Sequence, residues 1–177
     1  KGRDYKFRLD APGVRVPITD ASVIHNYRYV DEHGRRYRED PRKSGKVYRY
    51  YLDEGKLPED VWTDIDSLHF ELDERIGYPT QKPVMLMQRI VESCSEPNDV
   101  VADFFCGGGS FIAAAQGQRV SREAKTVNKR NSSYDTRGVL VYHHTTESRR
   151  WIACDQSRVA VAITADRIAR LIEEQLG

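Results

Sequence analysis

From residue 78 onwards apolar and polar positions recur with a regular period, and before residue 60 they do not. In "KPVMLMQRIVESCS", Met85, Leu86, Ile90 and Val91 fall on one helical face. Pro83 sits in the first turn, where its missing N–H costs nothing. "EPND" breaks the helix, and "VVADFF" follows as a short apolar run that predicts a buried strand. After three glycines, "SFIAAAQ" predicts the start of another helix. "RRWIACD" reads as a second apolar strand running into an acid. The strongest helix is predicted in "QSRVAVAITADRIARLIEEQL", with Ile163, Ile168, Leu171 and Ile172 as its stripe and Ser157 as its N-cap. The order helix, strand, helix, strand, helix predicts an α/β fold with a parallel sheet.

Residues 1–60 have a different character. They hold seven of the ten tyrosines, are rich in arginine and aspartate, and are interrupted by Pro12, Pro17, Pro41 and Pro58. "HNYRYVDEHGRRYRED" reads as a hairpin, and "KVYRYYLDEG" as a further strand or a short helix. With no long helical stripe, this part is expected to be an irregular, surface-mounted segment. The division predicted is therefore 1–60 and 61–177, the second part carrying a polar insert at 117–148. Within the insert "GVLVYHH" suggests a strand and "KRNSSYDTRG" a loop.

Bulk composition narrows the function classes. The chain has 177 residues, with Lys+Arg 28 against Asp+Glu 27, so any basic surface must come from local clustering. No apolar run approaches membrane-spanning length, and no membrane is expected as a partner. Cys94, Cys106 and Cys154 form no CxxC pair, which argues against a zinc site or a disulfide framework and fits a reducing cytoplasm. His143-His144 lacks nearby ligands at metal spacing and reads as a surface pair.

Candidate chemistry centres on "VVADFFCGGGS", residues 100–110. A phosphate loop needs a lysine after its last glycine, and Ser110 stands there. A dinucleotide site wants a third glycine for close helix–strand packing, and Ile112 occupies that place. S-adenosylmethionine has no pyrophosphate and asks only that the backbone approach its amino-acid end and sulfonium. Asp103, at the strand end, suits a ligand with an ammonium and a sulfonium. Asp155, closing the next strand, suits two ribose hydroxyls. The alternative is a purely structural turn with Asp155 capping the following helix.

A longer stretch, "ERIGYPTQKPVMLMQRIVESCSEPNDVVADFFCGGGSFIAAA", together with "RRWIACD" at 149–155 and "VWTDI" at 61–65, resembles the DNA amino-methyltransferases, which methylate adenine N6 or cytosine N4. The resemblance implies a Rossmann-like fold with S-adenosylmethionine as cofactor. It implies that Thr80, Gln81 and Lys82 meet the methionine carboxylate end. It also implies that Asp103, Phe104, Cys106, Gly107 and Gly109 line the methionine moiety and sulfonium, and that Asp155 binds the ribose. Gly108 and Ser110 replace the more usual Ser and Thr, and Phe104 replaces a proline.

The family's Asp/Asn/Ser-Pro-Pro-Tyr/Phe motif accepts the amine hydrogens and stacks on the flipped base. The sequence contains no Pro-Pro dipeptide, so no catalytic residue is assigned. The order resembles the permuted arrangement with the cofactor motif last, and the chain is expected to be the C-terminal part of a methyltransferase, inactive alone. Residues 1–60 would belong to target recognition. There Arg28, Arg35, Arg36 and Arg38, with Arg42, Lys43, Lys46 and Arg49, interleave with tyrosines that can stack on bases. Double-stranded DNA is the expected partner, and the N-terminal part of the methyltransferase or a nuclease subunit are the open protein partners. Alternatives are a methyltransferase of RNA or small molecules and, in a different class, an inactive remnant that binds nucleic acid or protein.

Overall fold

A computed structural model describes residues 5–11, 13–69, 74–118, 120–122, 142–144 and 148–177. The chain forms two compact units. The larger takes residues up to Val14, Glu59–Val120 and His143–Gly177, and the smaller takes Arg15–Pro58 and Ser121–Tyr142.

In the smaller unit Asp20 caps a single helical turn, α1 (Ala21–Ile24), its side chain accepting from the Ser22 N–H. Three strands follow: β1 (Tyr29–Val30), β2 (Arg36–Pro41) and β3 (Val47–Tyr51). They pair antiparallel in the order β1-β2-β3, with Tyr29 opposite Tyr37 and Tyr37 opposite Tyr51. The expected hairpin is present, and "KVYRYYLDEG" contributes a strand rather than a helix. The Tyr/Arg-rich segment is thus more regular than its composition suggests. Cross-strand ring contacts replace the aliphatic core it lacks: the Tyr29 and Tyr37 centroids lie 5.4 Å apart and those of Tyr37 and Tyr51 5.6 Å apart.

The larger unit follows the helix-strand alternation: α2 (Val84–Cys94), β4 (Val100–Asp103) and α3 (Ser110–Gln116), then, past β5 (Val120–Arg122) and β6 (Tyr142–His144), whose residues are divided between the units, β7 (Arg150–Ala153) and α4 (Arg158–Leu176). β4 and β7 pair in parallel, with Asp103 beside Ala153, and β5 and β6 form a separate two-stranded sheet. Most of the 117–148 insert, including its predicted loop, lies outside the described residues.

The core gathers Val84, Val91, Cys106, Ile112, Ala113, Ala114, Ile168 and Leu171. Trp151 and Ala153 reach it from β7, so the helices cover one face of the β4–β7 pair. Val100 and Ile152, on the other face, are 52% and 54% exposed, which corrects the expectation of a buried strand. β4 alternates instead.

Two helical stripes also differ from expectation. On α2 the buried positions are Val84, Gln88, Arg89, Val91, Glu92 and Ser93, while Ile90 is exposed. Polar residues are buried there because the chain binds them. Arg89 grips Asp64 with both terminal nitrogens and lies 4.8 Å from the Trp62 ring, which docks the "VWTDI" stretch. Glu92 accepts from the Gly13 N–H at 2.6 Å, and the Arg8 N–H donates to the Ser93 carbonyl at 2.8 Å. On α4 the buried set is Ala160, Thr164, Arg167, Ile168 and Leu171, with Ile172 exposed. Ser157 caps α4 as expected, accepting from the Ala160 N–H.

Candidate functional site

The glycine turn joins β4 to α3. Pairing continues past the strands: the Cys154 N–H donates to the Asp103 carbonyl, and the Cys106 N–H to the Cys154 carbonyl. This sets the turn beside the segment that leaves β7. Gly107 and Gly109 have φ of +51° and +71°, left-handed values that side chains disfavour. A Cβ on Gly109 would stand 2.9 Å from Thr164 Oγ1, and one on Gly108 3.1 Å from the Tyr78 Cβ. Tyr78, Ile76 and Thr164 pack directly against these glycines, and the missing side chains let them come so near.

α4 holds the turn from beneath. Thr164 Oγ1 donates to the Gly107 carbonyl at 2.9 Å, and Arg167 Nη1 to the Gly108 carbonyl at 2.9 Å. Arg167 also reaches Ser110 Oγ and Gln118 Oε1. Burial pushes the Arg167 guanidinium below its ordinary pKa. Tyr78, Thr164 and Arg167 were not among the expected site residues. The spacing of Thr164 and Arg167 from the apolar positions of α4 is the one sequence signal that marks them.

Two carboxylates flank the turn. Asp103 ends β4, and its Oδ1 accepts from the Phe105 N–H at 3.0 Å. Asp155 lies two residues beyond the end of β7. Its Oδ1 accepts from the Ser157 N–H at 2.8 Å and its Oδ2 from the Gly107 N–H at 3.0 Å. These backbone donors, Ser157 first, hold the Asp155 carboxyl below its usual pKa and keep it ionised. The Gln156 N–H adds to them. Asp155 therefore ties the turn to the start of α4.

The 74–82 loop meets the same turn, since Ser110 Oγ donates to the Lys82 carbonyl at 2.7 Å. Thr80 and Lys82 are exposed, with Lys82 Nζ donating to the Thr80 carbonyl. Gln81 is committed internally: its amide donates to the Glu74 carbonyl and accepts from the Ile76 N–H. Cys106 is buried in the core, and Phe104 is 62% exposed. Of the residues expected to hold a cofactor, Asp103, Asp155 and the backbone of Lys82 meet this turn, Cys106 lies beneath it and Gln81 shapes the loop beside it.

The four arginines expected to meet nucleic acid do not form one patch. Arg35 pairs with Asp53 at 2.8 Å and Glu54 at 3.2 Å, and these partners, Asp53 first, raise its pKa. Arg36 donates to the carbonyls of Ile24 and Tyr27. Arg38 lies 5.0 Å from the Tyr50 ring and 5.8 Å from the Tyr27 ring. Arg28 is exposed and without an ion pair among the described residues.

Residues 17–166 match the family model of the N6 and N4 methyltransferases, described as DNA methylase. The chain belongs to this DNA methylase family. Members of the family use S-adenosylmethionine as methyl donor. The DNA methylase chain is 36% identical over 116 residues to the type II methyltransferase M.BglII of Bacillus subtilis, covering 66% of this chain and 27% of that protein. It is 38% identical over 66 residues to the DNA adenine methyltransferase YhdJ of Escherichia coli (strain K12), covering 36% and 22%. It is 35% identical over 89 residues to the type II methyltransferase M2.DpnII of Streptococcus pneumoniae, covering 44% and 32%. The matched stretch spans about a quarter of M.BglII and under a third of the other two. No helix among the described residues is long and apolar enough to cross a membrane.

Proposed function

We propose that this chain supplies the S-adenosylmethionine-binding part of a DNA amino-methyltransferase that acts on adenine N6 or cytosine N4 in double-stranded DNA. The observation that carries the reading is the pair of carboxylates, Asp103 at the end of β4 and Asp155 just past the end of the adjacent parallel β7, on either side of the glycine turn. Ligands of Rossmann-like sheets bind at the carboxyl ends of the strands, and this arrangement supports such a fold. The donor set fits the cofactor: two carboxylates for an organic cation with a vicinal diol, and a backbone that can be approached closely.

When bound, S-adenosylmethionine supplies an activated methyl group on its sulfonium. In this reading Asp103 faces the ammonium and sulfonium end, with the backbone of Gly107–Gly109 against the methionine moiety and Phe104 at the rim. Asp155 accepts the ribose hydroxyls. Thr80 and Lys82 meet the methionine carboxylate, and Gln81 acts by shaping their loop. Cys106 supports the turn from the core. The exocyclic amine itself must be held by a Pro-Pro-Tyr type of motif, which is not in this sequence.

Calorimetric titration of S-adenosylmethionine, and of its demethylated product, tests the reading, with Asp155→Ala as control. The chain is expected to bind both and the variant neither. Equal binding by the variant would remove Asp155 from the ribose role. No binding by the unaltered chain would mean that this turn does not suffice as a cofactor site.

A further inference from the structure

The three-stranded sheet sorts its charges by face. This inference rests on the DNA reading proposed above and deepens it. Alternation along the strands puts Tyr29, Tyr37, Tyr51, Glu39 and Arg49 on one side. There the cations are answered. Arg49 Nε lies 3.2 Å from Glu39 Oε1. Arg35, 3.9 Å over the Tyr51 ring, is held by Asp53 and Glu54. Carboxylates outnumber cations on that side.

The opposite side carries Arg36, Arg38, Tyr48 and Tyr50 and runs into the β2–β3 turn, which adds Arg42, Lys43 and Lys46. Asp40 is the acid there, and it is engaged by Arg42 at 3.0 Å. Arg38 has rings beside it and no carboxylate partner among the described residues. Lys43 and Lys46 are exposed and have no ion pair among the described residues.

A cation without a partner releases condensed counterions when it meets a phosphate, whereas one in an ion pair must first give up that partner. From Arg38 to the start of the turn the strand rises about 14 Å, close to the rise of about four base pairs of B-form DNA. We propose that the Arg38 face, with Lys43 and Lys46 at its tip and Tyr48 beside them, is the surface that meets the phosphate backbone of double-stranded DNA. The Arg35 and Arg49 face turns away from it. The contact therefore moves from Arg35 towards the β2–β3 turn.

The test uses the whole chain and a labelled duplex, with fluorescence anisotropy read over a series of salt concentrations. Arg38→Gln, Lys43→Gln and Lys46→Gln combined form one variant, and Arg35→Gln with Arg49→Gln the other. The first is expected to lose about tenfold or more in affinity, with the salt slope reduced by about 0.9 for each contact removed, while the second stays within about twofold. Equal losses, or a loss confined to the second variant, would overturn the face assignment and leave the DNA reading standing. No duplex binding by the unaltered chain at any salt would overturn both. Near-ultraviolet circular dichroism of the tyrosines checks that each variant keeps the sheet. Should the triple variant lose it, the exposed pair Lys43→Gln and Lys46→Gln carries the same comparison, with a smaller drop in slope.

Discussion

At Gly109 two demands meet on one atom that is missing. The φ of +71° disfavours any Cβ, and a Cβ there would press on Thr164 at 2.9 Å from its Oγ1. Left-handed backbone costs a side chain about 1–2 kcal/mol, before any crowding is added. Gly109→Ala is therefore expected to lower the unfolding free energy by about 2 kcal/mol in urea titration. Adding Thr164→Ala should return only the part due to crowding; full recovery would mean that backbone strain contributes nothing. This residue was readable in the sequence because a glycine at the end of an apolar run has few other uses. Thr164 and Arg167 were not, since their bonds to the Gly107 and Gly108 carbonyls come from packing across more than fifty residues. Asp155 was readable as an acid at a strand end. Its dual engagement with Gly107 and Ser157 was not, because a backbone N–H leaves no trace in the identity of the residue that bears it.

Helix α2 was expected in the right place but with a different buried face. Periodicity assigns burial by apolarity, and it misses a carboxylate buried because another segment covers it. Glu92 is such a group. The Gly13 N–H donates to it, and a Cβ at Gly13 would stand 2.6 Å from its carboxyl atoms, so a side chain there would push the Glu92 carboxyl aside. Burial holds the Glu92 carboxyl above the usual carboxylate range, against the opposing effect of the Gly13 bond and of Arg149 and Arg8. The folded state thus keeps this proton to a higher pH than the unfolded chain does. The linked stability is fully present below the unfolded pKa and is lost as pH rises through the folded one. Comparing the chain with Glu92→Gln by urea unfolding isolates this group from the acids that shift the other way. The advantage of the unaltered chain over the variant should shrink as pH rises from the ordinary glutamate pKa of about 4.3 through the neutral range. A difference that stays level across that range would show that Glu92 titrates as in the unfolded chain.

On the scale of the molecule, the alternation of helix and strand made the α/β part readable. The Tyr/Arg-rich part gave its hairpin and left its third strand open between strand and helix, because rings packed across strands carry no helical or aliphatic period. Both tryptophans, Trp62 and Trp151, belong to the larger unit, while six tyrosines lie in Arg15–Pro58. The buried hydrophobic residues of that smaller stretch are Ile18 and Tyr27, a thin core beside that of the larger unit. Tryptophan fluorescence and tyrosine circular dichroism are therefore expected to report separate transitions in denaturant, the tyrosine signal moving first. Coincident curves would make the chain one cooperative unit. The uncovered face of β4 and β7 has a consequence of another kind. Among the described residues nothing covers Val100 and Ile152 on the two-stranded parallel sheet, and Phe105, 81% exposed, lies just beyond it. Parallel strands are ordinarily sheathed on both sides, and an unsheathed strip with open edges is a template for aggregation. Solubility will therefore limit the concentration at which this chain can be handled, and mild detergent or a charged substitution at Val100 should extend that limit.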